Sequence, residues 1–184
     1  MNPLKKIIFN HALPAVGALN RKKNKYINVI YYHDIVQGKG NGSQKTNIEL
    51  FKKQMQYIKD HGYTTLTFDE LDGNIEYRLD TVLITFDDGW ISNYTEIFNY
   101  MNDLGIKYNI FLEAGNVGNN SEYLTWDMVR EMIESGIVGF GAHTYTHPYM
   151  SDISKIDPQK EFFDIFKYTF LTVICGFIPE ASII

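Results

Sequence analysis

Residues 82–90 read V-L-I-T-F-D-D-G-W, and this stretch limits the fold more tightly than any other. Four of its first five side chains are apolar or aromatic, the signature of a strand buried in a sheet. Two carboxylates follow side by side, and then a glycine. One desolvated carboxylate is costly, and a like charge beside it adds to the cost. Either the pair lies on the surface and means little, or something positive sits against it.

The pattern on either side places this strand at the centre of a βα alternation. Strands are predicted at Ile27–Tyr32, Thr64–Thr67, Thr81–Phe86, Tyr108–Leu112 and Val138–Ala142, from their β-branched and aromatic content. Helical spacing of Leu50, Phe51, Met55 and Ile58 predicts a helix over 48–61, stopped at Gly62. Phe68–Leu71 reads as a short helical piece and Asp72-Gly73-Asn74 as a turn. Tyr94, Ile97, Phe98, Met101 and Leu104 mark one helix ending at Gly105. Thr125 is the expected N-cap of another running through Glu134. The glycines of V-G-F-G-A (138–142) suit a strand that something large passes closely. Gln37–Ser43 reads as a flexible loop. Such alternation predicts an α/β fold with a parallel sheet.

With 184 residues, the chain can bury one sizeable core but not two comfortable ones. Residues 26–184 therefore read as a single domain. The net charge of −5 gives no basic footprint for nucleic acid. The lone Cys175 leaves no disulfide framework and no cysteine-built zinc site, and it reads as an apolar filler rather than a nucleophile. Residues 1–25 open with two lysines and an apolar run broken by Asn10, His11 and Pro14. The expectation is an amphipathic segment that either packs on the domain or touches a membrane surface through residues 1–20, in preference to a cleaved signal or a membrane span.

In α/β folds the ligand site lies beyond the carboxyl ends of the parallel strands. The first predicted strand ends at His33-Asp34, the central one at Asp87-Asp88, and the last at His143, with His147 four residues on. An extended chain would hold i and i+4 about 13 Å apart, so both imidazoles meet one ion only if the chain curls, as Pro148 allows. Two His and one Asp suit zinc and leave positions open for water and substrate. Gly89 lets the chain bend, so that one carboxylate can bind metal while the other takes a proton from water. Asp-Asp-Gly alone is a common loop, H-x-x-x-H alone is a weak signal, and His33 alone is more often a core residue. Their occurrence together, in order and each at a strand end, is what points to a metal site. Trp90 and Trp126 read as packing residues. Trp126 and Tyr145 also stand as candidates for lining the site beside His33 and Asp34, and His11 and His61 read as exposed.

These residues carry a resemblance. T-F-D-D-G (85–89) and H-T-Y-T-H (143–147) resemble the first two motifs of the polysaccharide deacetylases, carbohydrate esterase family 4. Y-Y-H-D-I (31–35) looks like the leading strand of the subgroup acting on cell-surface polysaccharides, and Y-L-T-W-D-M-V-R-E-M (123–132) is similar to the segment between the motifs. The resemblance covers about residues 26–160 and implies a distorted (β/α)7 barrel that removes N-acetyl or O-acetyl groups from a sugar polymer with a divalent metal. By motif position it implies Asp87 as general base and Asp88, His143 and His147 as metal ligands, with His33 nearby. Zinc is the expected ion, with cobalt, nickel or iron as alternatives, and the expected partner is an acetylated polysaccharide or oligosaccharide.

The later family motifs, an arginine- or tyrosine-proline-glycine strand, an Asp-Trp type motif and a leucine-histidine motif, do not follow Lys160. The chain continues instead as an apolar, aromatic tail. The expectation is thus a partial, C-terminally truncated barrel. The alternative to an active deacetylase is a relative that binds metal or sugar without turnover. A phospho-acceptor domain using Asp87-Asp88 as a magnesium pocket ranks below both, because it leaves the histidines idle and lacks an evident lysine partner. The compartment stays open between a bacterial cytoplasm and the membrane-associated cell envelope, as does the oligomeric state.

Overall fold

A computed structural model describes residues 23–24, 27–40, 44–71, 77–78, 80–149, 157 and 161. The expected N-terminal segment, the turn at 72–74, Cys175 and the apolar tail lie outside these residues. The elements are β1 (Lys23–Asn24), β2 (Asn28–Tyr32), β3 (Asp34–Val36), β4 (Lys45–Asn47), α1 (Ile48–Asp60), β5 (Thr64–Thr65), a 3₁₀ turn (Phe68–Glu70), β6 (Tyr77–Arg78), β7 (Thr81–Asp88), α2 (Ser92–Thr95), α3 (Phe98–Leu104), β8 (Tyr108–Leu112), α4 (Trp126–Glu134) and β9 (Val138–Ala142).

The main sheet runs β2-β7-β8-β9, with β5 joined to the start of β7, and every pairing in it is parallel. β7 is the central strand and is buried along almost its whole length, as a strand covered on both faces must be. Its residues Val82, Ile84 and Phe86 share one core with Tyr32, Tyr108, Ile110, Phe51, Met55, Met101 and Met132. Each such fully buried side chain stabilises the fold by about 1.5–3 kcal/mol. This is a parallel α/β fold, and its described strands form an open arc in keeping with a partial, distorted barrel. Among the described residues no helix is long and apolar enough to cross a membrane.

α1 follows the predicted spacing. Asn47 caps it by accepting from the Leu50 N–H at 3.0 Å, and Ile48, Phe51, Met55 and Ile58 form its buried stripe. Thr125 likewise caps α4, accepting from the Met128 N–H. The predicted glycine crowding in β9 is also present: a Cβ on Gly141 would lie 2.5 Å from the Phe111 ring.

Two expectations need correction. The central strand does not stop at Phe86 but runs through both acids, because Asp87 and Asp88 still pair with Phe111 and Leu112. The single helix over 94–104 is two, α2 and α3, broken at Glu96–Ile97. The buried polar residues of α2 face one way, with Asn93 Nδ2 donating to the His33 carbonyl and Ser92 Oγ to Asp34. Phe98 and Met101 of α3 must face the core instead, so one straight helix cannot serve both. In addition, Asp34–Val36 and Lys45–Asn47, which flank the predicted loop, pair as a small separate parallel sheet.

Candidate metal centre

Because the strands are parallel, His33, Asp87-Asp88 and His143 emerge on one rim. Register sets their level: Asp88 pairs with Leu112 of β8, and the His143 N–H donates to the Leu112 carbonyl at 2.8 Å. Asp88 and His143 therefore flank the same residue of the intervening strand. The chain turns sharply after the acids, with φ of +76° at Asp88 and +80° at Gly89. A Cβ on Gly89 would lie 2.7 Å from Leu112 Cδ2, so glycine is needed there for both its torsion and its size. Asp88 has no such freedom, and a non-glycine residue in this region signals a site whose surroundings over-determine it.

Asp88 is 9% exposed. Its Oδ2 accepts from the Trp90 indole Nε1 at 3.0 Å. Its Oδ1 is buried without a hydrogen-bond partner, yet the Nε2 atoms of His143 and His147 lie 3.5 and 3.8 Å from it. The two rings sit 4.8 Å apart, centroid to centroid. An orphaned buried oxygen is costly, and these gaps are long for direct hydrogen bonds. They are close to the spacing of about 3.3 Å that ligands 2.0–2.1 Å from a tetrahedral ion would keep. Asp88, His143 and His147 thus fit a divalent cation; their donor atoms all lie within 4.8 Å of one another.

Asp87 stands beside the trio, half-buried, with its Oδ2 3.9 Å from His33 Nε2. Burial raises its pKa; the imidazoles of His143 and His33 oppose that shift, and the Asp88 charge adds to it. A carboxyl shifted upward is a better proton acceptor than an ordinary one. His33 Nδ1 is buried without a partner.

The other candidates are placed differently. Asp34 faces a structural network, accepting from Ser92 Oγ at 2.7 Å with Lys45 Nζ 3.4 Å away. Trp126 packs against the core. Tyr145 packs on Gly115, and its N–H donates to Glu161. His61 is exposed and stacks on Tyr57.

The sequence reading missed several supports. Trp90, read as packing, is the donor that aims Asp88, and it stacks on Tyr123 at 4.7 Å. Glu113 is buried directly after β8 and accepts from the Asn116 side chain. Burial raises its pKa, the Asn116 bond opposes this, and the Asp88 charge adds to it. Burial, with the Glu113 and Asp88 charges beside it, pushes the Tyr123 hydroxyl up to about 12. The strand-end logic that singled out Asp87-Asp88 and His143 could have found Glu113, since it follows β8 in the same way.

Residues 74–165, half of the chain, match the family described as Polysaccharide deacetylase. A curated Bacillus subtilis (strain 168) protein named "Putative polysaccharide deacetylase YxkH" is 29% identical over 150 residues, covering 79% of this chain and 52% of its own. The chain therefore spans about half the length of the curated relative it matches. Among solved structures, the Streptococcus pyogenes deacetylase PplD, in complex with acetate, superposes with a TM-score of 0.69 at 26% identity, covering 84% of this chain and 71% of that one. BC0361, a polysaccharide deacetylase from Bacillus cereus, does so with a TM-score of 0.67 at 28% identity, covering 80% and 47%. With both motifs meeting on one rim and the family match running across them, this chain belongs to the polysaccharide deacetylase family.

Proposed function

We propose that this chain forms the site of a metal-dependent deacetylase that hydrolyses N-acetyl, or O-acetyl, groups on a polysaccharide. The observation that carries the reading is the buried, unpartnered Asp88 Oδ1 facing two imidazole Nε2 atoms. Asp88, His143 and His147 would hold the ion, with zinc the first candidate because two nitrogens and one carboxylate oxygen suit it. When bound, the ion supplies Lewis-acid polarisation of the acyl carbonyl and makes water a nucleophile near neutral pH.

The chain's own residues do the rest. Asp87 takes the proton of the attacking water as its oxygen bonds to the acetyl carbon. His33 Nε2 lies 3.9 Å from the Asp87 carboxylate on the same rim. Cleavage of the C–N bond, or the C–O bond of an ester, then gives acetate and the free amine or hydroxyl. Protonated Asp87 is a proton source for the departing group on the same rim. We assign this chemistry to one domain over residues 26–184 and read residues 1–25 as a segment apart from it.

The test is acetate release from a panel of N- and O-acetylated oligosaccharides. Turnover should vanish on chelation and return with added zinc. A metal-loaded protein that releases no acetate from any of them contradicts the enzymatic reading and favours a relative that only binds metal or sugar.

A further inference from the structure

Glu161 belongs to none of the motifs above, yet it is 5% exposed and tied to one of them. Its Oε2 accepts from the backbone N–H groups of Tyr145 and Thr146 at 3.0 and 2.9 Å. Thr146 Oγ1 donates to its Oε1 at 2.6 Å. These bonds grip the middle of the turn between His143 and His147. From the other side, the Ala114 and Gly115 N–H groups donate to the Thr144 and Tyr145 carbonyls.

The turn needs such restraint. Thr144 and His147 have φ of +64° and +53°, a region that L-residues avoid and a β-branched one avoids most. His147 N–H donates to Thr144 Oγ1 at 2.9 Å, which closes the turn locally; its middle is held by the Gly115 N–H on one side and Glu161 on the other. Without the curl the two imidazoles would be about 13 Å apart; with it their centroids are 4.8 Å apart. A ligand pair that is assembled for only part of the time binds an ion more weakly by that fraction.

We propose that Glu161 is a positioning residue for the metal centre: its carboxylate holds the 143–147 turn in the conformation that presents both imidazoles to Asp88. The inference rests on the metal reading given under Proposed function. Glu161 acts through the backbone of Tyr145 and Thr146, not by touching the ion.

Titration of the metal-free full chain with Co²⁺, followed by its visible d–d absorption and by competition with a chelator, tests this without reference to turnover. Glu161→Ala should bind Co²⁺ about 10–100-fold more weakly than the unaltered chain. Glu161→Gln should restore most of the affinity, because its amide oxygen can accept from both N–H groups while its NH₂ donates to the Thr146 hydroxyl. Thr146→Val removes one of the bonds and should cost about two- to tenfold; it carries the comparison if Glu161→Ala does not fold.

Unchanged Co²⁺ affinity and spectrum in folded Glu161→Ala or Thr146→Val, with only a lowered melting temperature, would make Glu161 a merely structural residue and overturn the proposal. A Glu161→Gln no tighter than Glu161→Ala would place the effect in the negative charge and overturn it too. If the unaltered chain binds no Co²⁺, the metal reading itself fails, a result distinct from either of these.

Discussion

The two halves of the proposed metal centre are built in different ways. The Asp87-Asp88 half is an extension of the most buried strand, and its position follows from pairing with β8. The His143–His147 half begins at a strand end but is completed by a curled turn, with two non-glycine residues at positive φ. That turn is gripped by a carboxylate that lies 14 positions beyond His147 in the sequence. Sheet register carries the first half as far as Asp88, whose positive φ, the Gly89 that follows and the Trp90 indole then set its carboxylate. The second half keeps the His143 bond to Leu112 and backbone bonds from Ala114 and Gly115, and beyond these it is held by the Glu161 carboxylate, distant in sequence. The strand-borne acid needs one indole at its strained end, whereas the turn, with two strained residues, needs a carboxylate that holds its backbone as well.

This contrast can be broken or sharpened by substitution. The largest effect belongs to Asp87→Asn, which removes the proposed proton acceptor but none of the proposed ligands. Acetate release should fall about 10²–10⁴-fold, while metal affinity measured by calorimetry stays near that of the unaltered chain. Phe51→Ala should cost about 3–5 kcal/mol of stability in chemical denaturation, because Phe51 is fully buried between α1 and the sheet. Metal affinity of the folded fraction should hold, since the rim is set by register rather than by α1. Trp90→Phe keeps a ring to stack on Tyr123 but deletes the donor to Asp88 Oδ2. It should weaken metal binding about 10–100-fold, and no change would show that the strand alone aims Asp88. Thr125→Ala should cost about 1 kcal/mol in thermal unfolding with no effect on metal affinity, because its hydroxyl bonds only the Met128 N–H of its own helix.

The first half was largely legible in the sequence and the second only in part. The apolar run 82–86, the two acids and Gly89 announce a strand, its end and its bend through local chemistry alone. The spacing of His143 and His147 likewise showed that the chain must curl. What makes it curl was not legible, because Glu161 acts across residues whose spacing carries no periodic signal. Trp90 was misjudged for a related reason: an indole beside an apolar strand reads as packing until its N–H is seen to find a carboxylate. The break between α2 and α3 stayed hidden because Tyr94, Ile97, Phe98 and Met101 do keep helical spacing. Only the anchoring of Ser92 and Asn93 to Asp34 and His33 interrupts it.

X-ray absorption at the zinc edge, on the chain loaded with one equivalent of zinc, tests the central claim most directly. The account predicts two imidazole nitrogens at about 2.0–2.1 Å together with oxygen donors, and the loss of one imidazole in each of His143→Ala and His147→Ala. A zinc shell with fewer than two imidazoles in the unaltered chain, or one left unchanged by both substitutions, would contradict it.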